Sequence, residues 1–145
     1  MIINIIMFIE LGLPMTFQSR AMPCMDCWHW QGFRIRCALL PDEPRLLEQH
    51  MLHSSLLIER GVLSPWRVAS TILRLLLDTA SDPALPWHWR CLCLDYAYRP
   101  LHVLQHLADD RAKQCSLNQL RNRLATLRLL PSLSSSELAE GNPYA

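Results

Sequence analysis

Glycine and lysine are scarce, at four and one of 145 residues. A phosphate-cradling loop needs clustered glycines followed by a lysine, so nucleotide chemistry of that kind is excluded. The G-x-S-x-G nucleophile elbow and the H-E-x-x-H metal motif are also missing. Residues 1–14 are apolar but too short to span a bilayer, which takes about 20 residues. An excess of charge of one sign is lacking as well. The formal net charge is +1, so no long-range field steers the chain toward nucleic acid or acidic membrane. There is no internal repeat and no low-complexity tract.

What is present is apolar. Half of the residues are hydrophobic and 19% are charged, the balance of a globular chain rather than a disordered one. This length suits one domain and buries about two-thirds of the unfolded surface. Thirteen of the fourteen basic residues are arginine. The six cysteines are Cys24, Cys27, Cys37, Cys91, Cys93 and Cys115. No export signal stands out, and so apolar a chain needs no staples, so reduced thiols in a cytoplasmic protein are expected.

Residues 1–14 have three readings. An upstream start codon makes Met15, Met22 or Met25 the true start, and the last of these would exclude Cys24. The others are a membrane-surface or partner-binding segment and a signal peptide, for which the basic n-region is absent and the cleavage site poor. Residues 1–22 are thus expected to be a poorly ordered or mis-annotated extension, 23–140 a helical domain and 141–145 a frayed tail.

From residue 24 to 40, Phe33, Ile35 and Cys37 alternate with Arg34 and Arg36, as in a strand. A strand without a second strand has nothing to pair with, so a helix is predicted, with Gly32 as a weak point. Asp42 is the expected N-cap of a helix over 45–60 that stops at Gly61. Ser64 and Pro65 start the next helix, whose face of Val68, Ala69, Ile72, Leu73, Leu75, Leu76 and Leu77 is apolar. Pro100 predicts a kink or a new helix over 100–108. Asp109 and Asp110 precede a last long helix, in which Ser116 and Gln119 form a capping-box pattern and Leu117, Leu120, Leu124 and Leu127 lie at spacings of three and four. Pro131 is expected to end that helix. Ser134 and Glu137 form a second capping box.

The stretch 86–98 is the richest in aromatic residues. As a helix it carries Trp87, Cys91, Leu94 and Tyr98 on one face and Trp89, Leu92, Cys93 and Tyr96 on another. His88 and Asp95 share a thin polar stripe, with Arg90 roughly opposite. A helix apolar nearly all round must be covered on most sides. The prediction is a single all-α bundle of five to six helices around a buried central helix over 86–98, with Trp87, Trp89, Leu92, Leu94 and Tyr96 as its packing centre.

Cys24, Cys27 and His29 have a spacing that can grip Zn²⁺, or serve a redox role, although no second ligand pair follows. His102 and His106 lie one turn apart, with Asp110 beyond, which suits a divalent cation. Against both stands a solvated histidine face, the reading given also to His50 and His53. His88 is expected to pack beside the tryptophans and bond to Asp95. Arg121, Arg123 and Arg128 with Asn118, Gln119 and Asn122 could read base edges, but a nearly neutral domain argues against it. A catalytic base needs a nucleophile or a pocket to serve, and none is visible.

Ile35-Arg-Cys-Ala-Leu39, Pro41-Asp-Glu-Pro-Arg45, Leu73-Arg-Leu-Leu-Leu-Asp-Thr-Ala-Ser-Asp82, Ala84-Leu-Pro-Trp-His-Trp-Arg90 and Cys93-Leu-Asp95 together resemble the FagA family. These are small proteins encoded in pseudomonads beside an iron-independent fumarase and a manganese superoxide dismutase. The resemblance covers about residues 28–140. It implies expression under iron limitation and transfers no catalytic residue. The expectation is a non-enzymatic cytoplasmic accessory protein that binds an unknown protein partner, linked to iron limitation or oxidative stress. No cofactor, nucleic acid or membrane is expected. The alternatives are a metal- or haem-handling protein and a helical DNA-binding regulator.

Overall fold

A computed structural model describes residues 24–133. It has five helices: α1 (Met25–Arg36), α2 (Arg45–Glu59), α3 (Pro65–Ser81), α4 (Trp87–Leu107) and α5 (Arg111–Thr126). The described residues contain no strand. They form the expected compact all-α bundle. The expected N-terminal extension, the Ser134–Glu137 cap and the frayed tail lie outside the described residues. The alternation at Phe33, Ile35 and Cys37 belongs to α1 and its C-cap.

The bundle is organised around α3. Its N-terminus follows expectation: Ser64 Oγ accepts from the Arg67 amide at 3.3 Å, and Pro65 sits in the first turn. Val68, Ala69, Ile72, Leu73, Leu76, Leu77 and Ala80 are all buried along it, and Leu75 is partly covered. This broad stripe packs against each of the other four helices. The expectation of a central helix over 86–98 is therefore corrected. Aromatic content marked α4, but the hub is the helix whose apolar face is wide enough to meet four neighbours. α4 is its main antiparallel partner.

α4 also runs longer than expected. It continues through Pro100 for 21 residues, with neither a new helix nor a boundary there. Proline costs a helix interior one hydrogen bond and a steric clash, about 3 kcal/mol. Burial of Ala97, Pro100, Leu101, Val103 and Leu104 on the face toward the core offsets that cost.

Three capping expectations are also corrected. The cap residue of α2 is Pro44, without a side-chain bond. Glu43 Oε1 accepts from the Arg45 amide at 3.3 Å, and Asp42 instead pairs with His88 at 3.1 Å. α5 starts directly after Asp109 and Asp110, as expected, and not at Ser116: Asp110 accepts from the Lys113 amide at 2.7 Å. Ser116 and Gln119 are therefore interior to the helix. α5 also ends at Thr126, before Pro131, when Leu127 turns extended.

α1 and α2 end in the same way. Beyond α1, the Ala38 and Leu39 amides donate to Ile35 O and Arg34 O; beyond α2, the Gly61 and Val62 amides donate to Ile58 O and Leu57 O. Both are Schellman turns with a left-handed residue. Gly61 takes φ +69° freely, whereas Ala38 holds φ +48° against its own Cβ.

Candidate functional site

The first turn of α4 is where the molecule departs most from its sequence reading. Trp89 is fully buried and donates from Nε1 to Ile35 O at 3.0 Å. Trp87, by contrast, is 40% exposed. Leu92, Leu94 and Tyr96 pack against the core but are only partly buried, Cys91 is partly buried, and Tyr98 is exposed. The two covered faces reduce to one: Trp89, Cys93, Ala97, Leu101 and Leu104. Trp87 and Tyr98 lie on one wetted flank of the helix and Tyr96 on the opposite one. His88 is on the surface and turns to Asp42 rather than Asp95.

Arg90, roughly opposite the exposed His88 and Asp95, lies inside the bundle. Its exposure is 0%. Nε donates to Ala80 O at 2.9 Å, and Nη1 donates to Leu130 O at 2.7 Å and Ser132 Oγ at 3.3 Å. The guanidinium lies 5.6 Å from the Trp87 ring centroid. Ala80 O belongs to the last turn of α3, where backbone carbonyls carry partial negative charge. One cation thus ties the end of α3, the start of α4 and the segment after α5 together. Ser132 Oγ also donates to Leu85 O at 2.7 Å, and the Leu133 amide donates to Pro83 O at 2.8 Å. Asp82 is beside this knot. It accepts from the Ala84 amide at 3.0 Å and from Arg36 at 2.8 Å. Those bonds, more than the Arg90 charge, hold its carboxyl below the usual range. The sequence did carry a sign of this burial. Arg90 is three and seven residues before Cys93 and Ala97, small side chains on the core-facing stripe.

Exposed leucines lie on the segments tied to this knot. Leu39 and Leu40, in the turn after α1, are 48% and 43% exposed, and Leu130 and Leu133 are 61% and 70% exposed. The Asp42–His88 contact, the Arg90–Leu130 bond and the Pro83–Leu133 bond bring all of them beside residues 83–90. Upstream on α1, Trp30 and Phe33 are also exposed and stack at 5.5 Å. Scattered surface leucines are ordinary, but clustered ones mark contact surfaces.

The candidate metal ligands do not converge. Cys24 and Cys27 are joined as a disulfide, which corrects the expectation of reduced thiols for this pair; the other four cysteines are free. His29 is exposed beside them. The rings of His102 and His106 approach to 4.7 Å on the surface, but α4 ends at Leu107 and Asp110 turns away to cap α5. Among the described residues no three His, Cys, Asp or Glu side chains are placed to hold a metal ion. Cys93 is buried, and that burial pushes its thiol up to about 12, so it is inert as a nucleophile.

His50 corrects the solvated-face expectation. It is 3% exposed and stacks on Trp28 at 5.4 Å, and Trp28 Nε1 donates to Ser54 Oγ at 2.7 Å. His53 Nδ1 contacts Gln31 Oε1 at 3.2 Å. Burial, then the nearby His53 and His29, lowers His50 to about 4. On α5, Arg121 is exposed and Arg123 pairs with Asp78 at 2.6 Å; Arg128, beyond the helix, is exposed too.

Set against known proteins, the chain matches no family model, no curated protein and no solved structure. Among the described residues, no helix is long and apolar enough to cross a membrane.

Proposed function

We propose that this is a non-enzymatic accessory protein that binds a partner protein through the apolar end of the bundle around residues 83–90. The observation that carries this reading is that Leu39, Leu40, Leu130 and Leu133, all more than 40% exposed, lie on the two segments tied to residues 83–90 by the Asp42–His88, Arg90–Leu130 and Pro83–Leu133 contacts, where Trp87 is exposed as well. Covering one large apolar side chain is worth roughly 1.5–3 kcal/mol gross. A few such anchors, set in a rigid frame, are what dominate most protein interfaces. The Arg90 knot supplies the frame, because it orders the backbone on both sides of the patch before any partner arrives and so lowers the cost of binding. The complementary surface is an apolar groove able to accept leucine and tryptophan side chains. The resemblance to the FagA family suggests iron limitation or oxidative stress, in the cytoplasm, as the setting.

The test is capture of cross-linked partners by the full chain in iron-starved cells. Wild type is compared with Leu40→Ser/Leu133→Ser and with Tyr98→Ser, which changes an exposed residue about 16 Å farther along α4 at 1.5 Å per residue. The expected result is loss of the captured protein with the first variant and retention with the second, at unchanged helix content. Equal capture by both variants would refute the proposed surface, and a second copy of the chain as the captured species would redefine the partner.

A further inference from the structure

We propose that Cys24 and Cys27 form a reversible thiol–disulfide exchange site that reacts with low-molecular-weight thiols of the glutathione class. The first observation is that this disulfide staples nothing. A structural bridge ties together elements distant in the chain, and its effect on the unfolded ensemble grows with the loop it closes. Here the two cysteines are three residues apart, with Cα atoms at 5.4 Å, in the cap and first turn of α1. Opening the bond releases no packing between helices.

The second observation is how the two sulfurs differ. Cys24 is the N-cap residue of α1, in extended conformation, and its Sγ accepts from the Cys27 amide at 3.2 Å. Helix N-termini carry partial positive charge and stabilise a thiolate. Cys24 is partly buried, whereas Cys27 is exposed. The better leaving group and the more accessible sulfur are therefore on different residues, the arrangement that favours exchange. Asp26 in the same turn opposes thiolate formation, but it is exposed and water screens it.

The chemistry balances with two thiols. A glutathione thiolate attacks Cys27 Sγ, the S–S bond breaks, and its electron pair goes to Cys24 Sγ at the helix cap. A second glutathione thiolate attacks the glutathione sulfur of the mixed disulfide. Oxidised glutathione leaves, and the Cys27 thiolate takes a proton from water. The chain is reduced by two electrons and the glutathione pair is oxidised by two; the reverse sequence re-forms the bond.

The test equilibrates the full chain in buffers of stepped reduced and oxidised glutathione, then quenches with acid and alkylates. Trypsin releases residues 21–34, a peptide whose only cysteines are Cys24 and Cys27, so the other thiols do not interfere. The expected result is conversion of both cysteines together, within buffers that contain both forms of glutathione and with helix content unchanged. Cys24→Ser, which keeps a good capping side chain, is expected to hold one glutathione on Cys27 in buffers where wild type holds none, because the thiol that would expel it is gone. A pair that stays closed, or stays open, across the whole series would overturn the proposal. So would loss of helix on opening, or glutathione held equally by wild type and Cys24→Ser.

Discussion

Arg90 and His50 are both sealed from water, Arg90 at the junction of α3 with α4 and His50 between α1 and α2. Each keeps one ring or guanidinium nitrogen without a hydrogen-bond partner among the described residues, His50 Nδ1 and Arg90 Nη2. They differ in how the burial is made tolerable. An imidazole can give up its proton, and His50 does so, held down to about 4. A guanidinium cannot, so acceptors must be brought to it. The chain delivers Ala80 O, Leu130 O and Ser132 Oγ from three separate places. A buried group that can shed its charge requires little of the fold, whereas one that cannot dictates where distant backbone must lie.

The largest effect that tests this contrast is removal of the cation. Arg90→Ala orphans buried carbonyls and opens a cavity, and is expected to cost about 3–5 kcal/mol in urea unfolding. Arg90→Met keeps much of the volume but offers no donor, and is expected to cost about 2 kcal/mol. An Arg90→Met protein as stable as wild type would break the comparison, since it would show the carbonyls to be content without the charge.

Next in size is the acid response of His50. Its folded value lies below the unfolded 6.5, so between these values the unfolded chain binds more protons than the native one. Stability is therefore full above pH 6.5, falls as pH drops toward 4, and levels off below. The loss from this group amounts to about 3 kcal/mol. His53, also lowered by burial, adds to it in the same direction. Urea midpoints measured from pH 7 to 4 check the slope, and His50→Leu is expected to remove most of it. A slope left intact in that variant would place the titration elsewhere.

The smallest effect concerns Gly32, whose absent Cβ would lie 3.7 Å from His50 Cε1 and 3.6 Å from Leu75 Cδ2. Both are ordinary contact distances, so Gly32→Ala is expected to stabilise by about 1 kcal/mol through helix propensity alone. Destabilisation would mean that the His50 ring has no freedom to adjust.

Much of the fold could be read directly from the chain. Ser64, Pro65 and the leucines of α3 announce a capped amphipathic helix, and Gly61 announces the end of the one before it. Pro100 pointed to a kink or a new helix, and the new helix does not form, because the local penalty is visible in sequence while the burial that offsets it depends on α3 lying alongside. Ser116 carries a good capping pattern inside a helix that Asp110, six residues earlier, already starts. The candidate site was only half readable. Trp87 and Trp89 were singled out, but as one buried pair, and the structure splits them into a surface residue and a core residue. Leu39, Leu130 and Leu133 carry no signal of their own, because nothing in a linear pattern says that residues 39, 87 and 133 meet.

The amino-acid sequence alone determined the class, five amphipathic segments with their breaks, because helical periodicity and end-capping act over distances of a few residues. Only the tertiary structure decided that α3 is the hub and that Arg90 is inside. It also set which apolar side chains remain in water. Those outcomes depend on what each face meets across the bundle, which local spacing, as at Arg90, can accompany but does not fix.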